Sequence, residues 1–425
     1  MRSHTILALG LTLAGCSQPA THDQGAAGKE RLAAGAVKPA EPSAAKATDD
    51  DDALPTEKFA DGARAFAKVR ESLLQNYYAE GLTEDDLYRA ATAGMLEKID
   101  PTMRKWNRLV GPAEHSELKN DLRGELVGIG VHIQFDEKSG YADVLSTIPG
   151  SPSEKAGLVT GDKIVTVNGK LYKGMRLEDV VADIRGKAGE PVALSVLRAD
   201  KLVVFNVPRE RVAYNQATAV DLPDAVGLVR IQGFTEKTPA TIRASLEDFE
   251  KKGIKALIVD LRQCPGGAFD PALETASLFL PEGTPIVTLK HRGKPDEKRV
   301  AKGKAVLAAV PSVVLVNENT SSGCEILASA LQEGRHARIV GKKTFGKWSL
   351  QSLDELPNGY AFKYTISLFT TPSGRTFGGT GLAPDVEVSM EEATLIRANA
   401  AAKVEDRLAL DSQLRTAKEL LVRAP

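Results

Sequence analysis

No stretch of this chain is long and apolar enough for a comfortable membrane span: the apolar run near its start, Ile6 to Ala14, falls well short of the roughly 20 residues a spanning helix needs. Charge of one sign is missing as well, since 55 basic residues stand against 56 acidic ones. Nothing in that balance suggests a strongly charged partner, and no nucleic-acid partner is expected. There is no HExxH and no paired CxxC, so no metal and no other cofactor is expected. The six histidines are scattered, and none sits in a recognisable triad motif. Aromatic residues make up only 5% while aliphatic ones are plentiful, as in ordinary α/β domains.

What is present begins with a targeting pattern. Arg2 supplies a positive start, the apolar stretch follows, and Leu13-Ala14-Gly15-Cys16 resembles a bacterial lipobox. Residues 1–16 are therefore expected to be a lipoprotein signal peptide that takes no part in the fold. Cys16 would be the lipidated first residue, with Ser17 behind it favouring the outer membrane. The alternative is a plain signal peptide with a chance cysteine. From 17 to 55 the composition shifts to Ala, Lys, Pro and Gly with an acidic run at Asp49–Asp52, which cannot bury a core and reads as a flexible tether.

With 425 residues the chain is too long for one core, and several domains are expected. Residues 56–118 read as helices: Phe59, Ala63, Phe66, Val69 and Leu73 keep a 3–4 spacing, which Leu87, Ala91, Met95 and Ile99 repeat. Residues 119–212 resemble a PDZ domain, because Ile148 to Gly169 is close to the PDZ consensus and VGIGVHI resembles its carboxylate loop entering a strand. Backbone N–H groups at Gly128, Ile129 and Gly130 could hold a terminal carboxylate, with the peptide adding as a strand beside Val131 and Ile133. Leu177, Val180, Val181 and Ile184 have helical spacing and would line the groove. From 213 to 390 strands alternate with helices, which implies a helix-covered sheet with sites at strand ends. Residues 391–425 read as helical again.

Two segments carry chemistry. VNENTSSGCEIL turns from the strand formers Val313–Val316 into a helix near Gly323, and RIVGKKTFGKWSLQ places Lys347 in a second turn with Gln351 four residues on. A serine at a strand-to-helix turn and a lysine from elsewhere on the same sheet suit a Ser–Lys hydrolase. Ser322-Gly-Cys-Glu325 fits a helix-capping box equally well, with Ser322 as N-cap.

These motifs resemble the carboxyl-terminal processing (tail-specific) protease family, and RQCPGG, from Arg262 to Gly267, resembles that family's DLRNNPGG. The resemblance implies a multidomain α/β protein with a helical N-terminal segment, a PDZ domain and an α/β protease core of the ClpP/crotonase-like type. It implies Ser322 as nucleophile, Lys347 as a neutral base oriented by Gln351, and the N–H groups of Gly267 and Gly323 as oxyanion donors. The family's alanine after the nucleophile is Gly323 here, a change that leaves the backbone donor in place. Its glycine after the lysine is Trp348, expected to crowd the site. Substrates would be proteins or peptides with apolar C-termini, met in the bacterial envelope on its periplasmic side; an adaptor protein or a second copy of the chain are further possible partners. A non-catalytic PDZ adaptor is the alternative from another class. If Gly267 and Gly323 converge on one oxyanion, Cys264 and Cys324 occupy neighbouring turns, where either a disulfide or two small buried thiols would fit.

Overall fold

The computed structural model describes residues 6–8, 58–100, 106–136, 139–148, 150–213, 216–401 and 403–422. Cys16 and the tether 17–55 lie outside them. No helix among the described residues is long and apolar enough to cross a membrane.

Two helices, Gly62–Asn76 and Glu84–Lys98, realise the periodicity of the N-terminal region. Their apolar stripes are nevertheless not core. The first helix buries none of its residues, the second buries only Leu96, and Val69, Met95 and Ile99 are exposed. Helical spacing establishes that a face exists, not that anything covers it. The region is not wholly helical either. Arg108–Val110 is a strand paired with Ala361–Thr370, where ladder hydrogen bonds and the full burial of Val110 outweigh local preference. The helix Pro112–Leu122 follows, its proline at the first turn where no N–H partner is needed.

Residues 131–208 form a six-stranded antiparallel sheet, five strands in the order Val131–Asp136, Tyr141–Thr147, Lys163–Val167, Pro191–Arg198, Lys201–Pro208, with Lys170–Leu171 paired to Lys163–Val167 off that path. Val131–Asp136 is an edge strand. A separate ribbon, Glu125–Gly128 with Glu210–Ala213, closes the base of the domain. The helix Leu177–Ile184 turns Val180 and Ile184 into the core, so these two are packing residues rather than groove walls, while Leu177, Val131 and Ile133 stay partly buried against that core.

Residues 217–387 are built on a second sheet in the order Ala217–Leu222, Val226–Ile231, Ala256–Asp260, Ser312–Val316, Arg338–Gly341, Val386–Glu387. All pairs after the first are parallel. Its central strands are largely apolar because both faces are covered. Side chains alternate between two cores: Val229, Leu257, Val259 and Val314 face the helices Thr238–Lys251, Phe269–Phe279 and Gly323–Arg335. Leu228, Ile258, Val313 and Leu315 face Leu414, Ala417 and Leu421 of the final helix, Ser412–Val422. Each such buried side chain contributes about 1.5–3 kcal/mol.

A third sheet contains Gly267–Ala268, Ser349–Glu355, Ala361–Thr370, Pro285–His291 and Glu297–Val300. Ile6–Ala8, expected to lie outside the fold, runs antiparallel between the first two: Leu7 is opposite both Ala268 and Gln351, and Ala8 is opposite Gly267.

Candidate active site

Two adjacent parallel strands, Ala256–Asp260 and Ser312–Val316, end in turns that are tied to one another. Thr320 Oγ1 donates to the Leu261 carbonyl at 2.8 Å, the Ser321 N–H donates to the Cys264 carbonyl at 2.9 Å, and the Gln263 N–H donates to Asn317 Oδ1 at 3.1 Å. Cys264 and Cys324 are joined as a disulfide with Cα atoms 6.1 Å apart, which decides between the two states open to them. In the first turn Gly267 has φ 141°, and a Cβ there would stand 2.2 Å from the Phe234 carbonyl oxygen, so only glycine fits.

Ser322 ends the second turn with φ 56° and ψ −119°, a region that L-residues rarely occupy and that costs of order 1–3 kcal/mol. It is fully buried, and its Oγ has no hydrogen-bond partner among the described residues. The expected capping box is recognisable, with Glu325 closing back on the Ser322 N–H, but the Glu325 N–H makes its hydrogen bond to the Ser322 backbone carbonyl at 2.9 Å, so the hydroxyl is not committed to it.

Glu325 does more than cap. Its Oε2 accepts the Ser322 N–H at 2.8 Å and the Lys347 N–H at 2.9 Å; its Oε1 accepts the Gly346 N–H at 2.8 Å and the Thr344 hydroxyl. One carboxylate oxygen thus touches the backbones of both Ser322 and Lys347. Burial pushes this carboxyl up, while the four donors pull it down.

Lys347 lies in the loop between Arg338–Gly341 and Ser349–Glu355, with 2% of its surface exposed. Its Nζ stands over the Trp106 ring, 4.5 Å from the centroid. Gln351 is fully buried on the following strand; its Nε2 donates to Ser349 Oγ at 2.7 Å and its Oε1 has no partner among the described residues. Trp348 does not plug the site. It packs edge-on against Phe377 at 4.9 Å and forms one wall of a cavity of about 660 Å³, with Trp106, Phe345, Lys347 and Leu368. Gly266 and Gly267 line a second recess of about 120 Å³ with Phe234 and Thr235.

The expected tail-binding loop belongs to the sheet of residues 131–208, not to this cluster. Gly130 has φ 74°, and its carbonyl accepts the Ile148 N–H and the hydroxyls of Ser151 and Ser153. The Ile129 carbonyl accepts the Ser153 N–H, and the Ile129 side chain is core. Val131 follows on the open edge strand.

Sequence reasoning missed Trp106, which sits in a stretch read as helical and carries no local mark of its role. It also read Glu325 only as a cap. The hint there was that Thr344, Gly346 and Lys347 form a second polar, glycine-containing turn needing an acceptor.

Comparison with known proteins shows the family. Peptidase family S41 matches residues 225–388, and a PDZ domain matches residues 144–198. A carboxyl-terminal-processing protease of Picosynechococcus sp. is 34% identical over 314 residues, covering 73% of this chain and 74% of that protein. The carboxy-terminal processing protease CtpA of Bacillus subtilis is 31% identical over 328 residues, covering 76% of this chain and 68% of the relative. A solved S41-type protein from Bacteroides fragilis shares the fold, with a TM-score of 0.58 at 15% identity over 84% of this chain and 97% of its own.

Proposed function

The chain belongs to the carboxyl-terminal processing protease family of serine peptidases, and on that premise we propose that Ser322 and Lys347 form its catalytic dyad. The observation that carries this is the pair of backbones held on one Glu325 oxygen, with a buried and uncommitted Ser322 hydroxyl beside them.

In this reading Ser322 Oγ attacks the peptide carbonyl while neutral Lys347 Nζ takes its proton. Lysine suits the role because its ammonium loses strong hydration when buried, whereas arginine stays charged. The N–H groups of Gly267 and Gly323 receive the developing oxyanion. Lys347 returns the proton to the leaving amine, and water then hydrolyses the acyl-enzyme with the lysine again as base. Gln351 supplies a neutral amide beside the base. The scissile segment binds extended, a reading supported by Ile6–Ala8, which pairs on both sides between Gly267–Ala268 and the Gln351 strand. The aromatic cavity next to Lys347 suits an apolar substrate side chain.

Substrates are chosen through their C-termini. The edge strand Val131–Asp136 can accept a peptide by strand addition, with the terminal carboxylate at the Gly128–Gly130 loop. The enzyme works on the periplasmic side of a bacterial envelope, held to the membrane through lipid on Cys16. A disulfide in the core is consistent with an oxidising compartment.

Digestion of one peptide as free acid and as C-terminal amide, by the wild type and by Ser322→Ala, tests the reading. The expected outcome is fast cleavage of the acid, markedly slower cleavage of the amide, and none by the variant. Equal rates for acid and amide would remove tail selection; an active Ser322→Ala would remove the dyad. Recovery of Cys16→Ser in the soluble fraction, with the wild type in membranes, checks the anchor.

A further inference from the structure

The disulfide joins the two turns that carry the proposed oxyanion donors. Cys264 is three residues before Gly267, and Cys324 directly follows Gly323; both cysteines are fully buried. The turns they join are unusual in their backbone. Gln263 has φ 60°, Gly266 107°, Gly267 141° and Ser322 56°, four positions in the left-handed half of the map within two short turns. At the two non-glycine positions, Gln263 and Ser322, such torsions persist only where the surroundings over-determine them.

The hydrogen bonds between the turns all stop short of the nucleophile. Those made by Gln263, Thr320 and Ser321 end at or before Ser321. The Gly267 side is held to Phe234: the Phe234 N–H donates to the Gly266 carbonyl at 2.9 Å, and the Ala268 N–H donates to the Phe234 carbonyl at 2.8 Å. The disulfide reaches past Ser322 into the first turn of its helix. It therefore ties the Gly267 turn directly to the element that presents the Gly323 N–H.

We propose that Cys264 and Cys324 are positioning residues, whose bond holds the N–H groups of Gly267 and Gly323 in register for one oxyanion. The proposal rests on the Ser322–Gly267–Gly323 reading above. Oxyanion donors act only when preorganised, and losing one outright costs about 10²–10³ in kcat. Loosening the register costs part of that, so breaking the disulfide should lower kcat about tenfold to a hundredfold. Ground-state binding, made by the PDZ groove and the extended slot, is left alone, so KM should stay within about twofold. A bond serving only the fold would lower the folded fraction and leave the kcat of folded molecules unchanged.

The experiment measures kcat and KM for a soluble peptide at a temperature where circular dichroism shows the protein fully folded. Three samples are compared: the full chain as purified without reductant, the Cys264→Ala/Cys324→Ala double variant, and Ser322→Ala. In a fourth, wild type is opened in mild denaturant and reduced with dithiothreitol. That reagent gives two electrons and two protons to the bond, leaving two thiols and closing to its own cyclic disulfide. The protein is then refolded and assayed before and after reoxidation by oxidised glutathione, with free thiols counted at each stage. The expected result is a kcat loss of about tenfold or more in the double variant and the reduced protein, with KM unchanged, and recovery on reoxidation. Wild-type kcat in folded, thiol-positive protein would overturn the positioning role while an inactive Ser322→Ala keeps the dyad. An active Ser322→Ala would overturn the dyad and the proposal with it. If the double variant does not fold, the reduced and reoxidised wild type decides alone.

Discussion

Two buried polar clusters sit side by side at the ends of neighbouring strands, and they are built on opposite principles. Around Arg262 everything is matched. Its five N–H groups meet Asp260, Asp411 and Gln413 at 2.8–2.9 Å, and Asp411 also accepts the Leu414 N–H as the final helix starts. Burial would push the Asp260 carboxyl up, but the Arg262 guanidinium outweighs it and holds the group at about 2. Around Ser322 only the backbone is matched, through Glu325, and the hydroxyl is left without a partner among the described residues. A fully paired cluster stabilises a fold; a cluster that leaves a buried hydroxyl unpaired forgoes stability, which is what the proposed nucleophile would require.

The sharpest way to break this contrast is to exchange the outcomes. Ser322→Ala and Lys347→Ala should each lower kcat/KM at least about a thousandfold while leaving the melting temperature nearly unchanged. Lys347→Arg should fail as well, since arginine cannot act as a neutral base. Peptidase activity within about tenfold of wild type in either alanine variant would sink the assignment.

The matched cluster should respond the other way. Asp411→Ala leaves Arg262 buried with two of its five hydrogen bonds gone and should cost about 3–5 kcal/mol of stability in urea unfolding. Molecules that remain folded should keep kcat within a few-fold. The pH sign follows from Asp260: its contribution is fully present above the ordinary carboxylate value of 3.8 and is lost as pH falls toward about 2. A variant as stable as wild type would show that the network is ornamental.

Lys363 gives a third, smaller test, being a buried lysine outside both clusters. Burial, reinforced by Arg108, holds it at about 8 against an ordinary 10.5. Between those values the unfolded chain binds more protons, so stability should rise with pH; below about 8 the cost is present in full. Lys363→Met should remove that rise and stabilise the protein at pH 7 by up to about 3 kcal/mol. An unchanged slope between pH 8 and 10.5 would show that Lys363 is not its source.

The smallest effect concerns recognition alone. A Cβ at position 130 would stand 2.4 Å from Ser151 Cβ, at a φ of 74° that alanine resists. Gly130→Ala should raise KM for free-acid tails several-fold and leave the slow cleavage of amidated peptides untouched. An equal effect on both substrates would place the loop outside tail reading.

Much of the candidate site was legible along the chain because its parts are local. Val313–Val316 are strand formers followed by a polar turn, and Ser322, Gly323 and Glu325 stand in that order at a helix start. Glycines mark both turns, and the step from Ile242 to Leu246 to Phe249 is helical wherever the chain folds. These features depend on a residue and its neighbours within one or two turns. What only the tertiary structure decided involves distant partners. Val69 and Met95 stand on the stripes of two helices, yet nothing in their spacing says whether a surface covers them. Trp106 reaches Lys347 and Arg262 reaches Asp411 across long loops. Whether Ser322 caps its helix or keeps its hydroxyl free turned on a choice between two acceptors on one residue, made by the backbone torsion of a turn held by neighbouring strands. Periodicity is a property of neighbours in sequence; burial, pairing and strain belong to groups that meet only once the chain has closed its long loops.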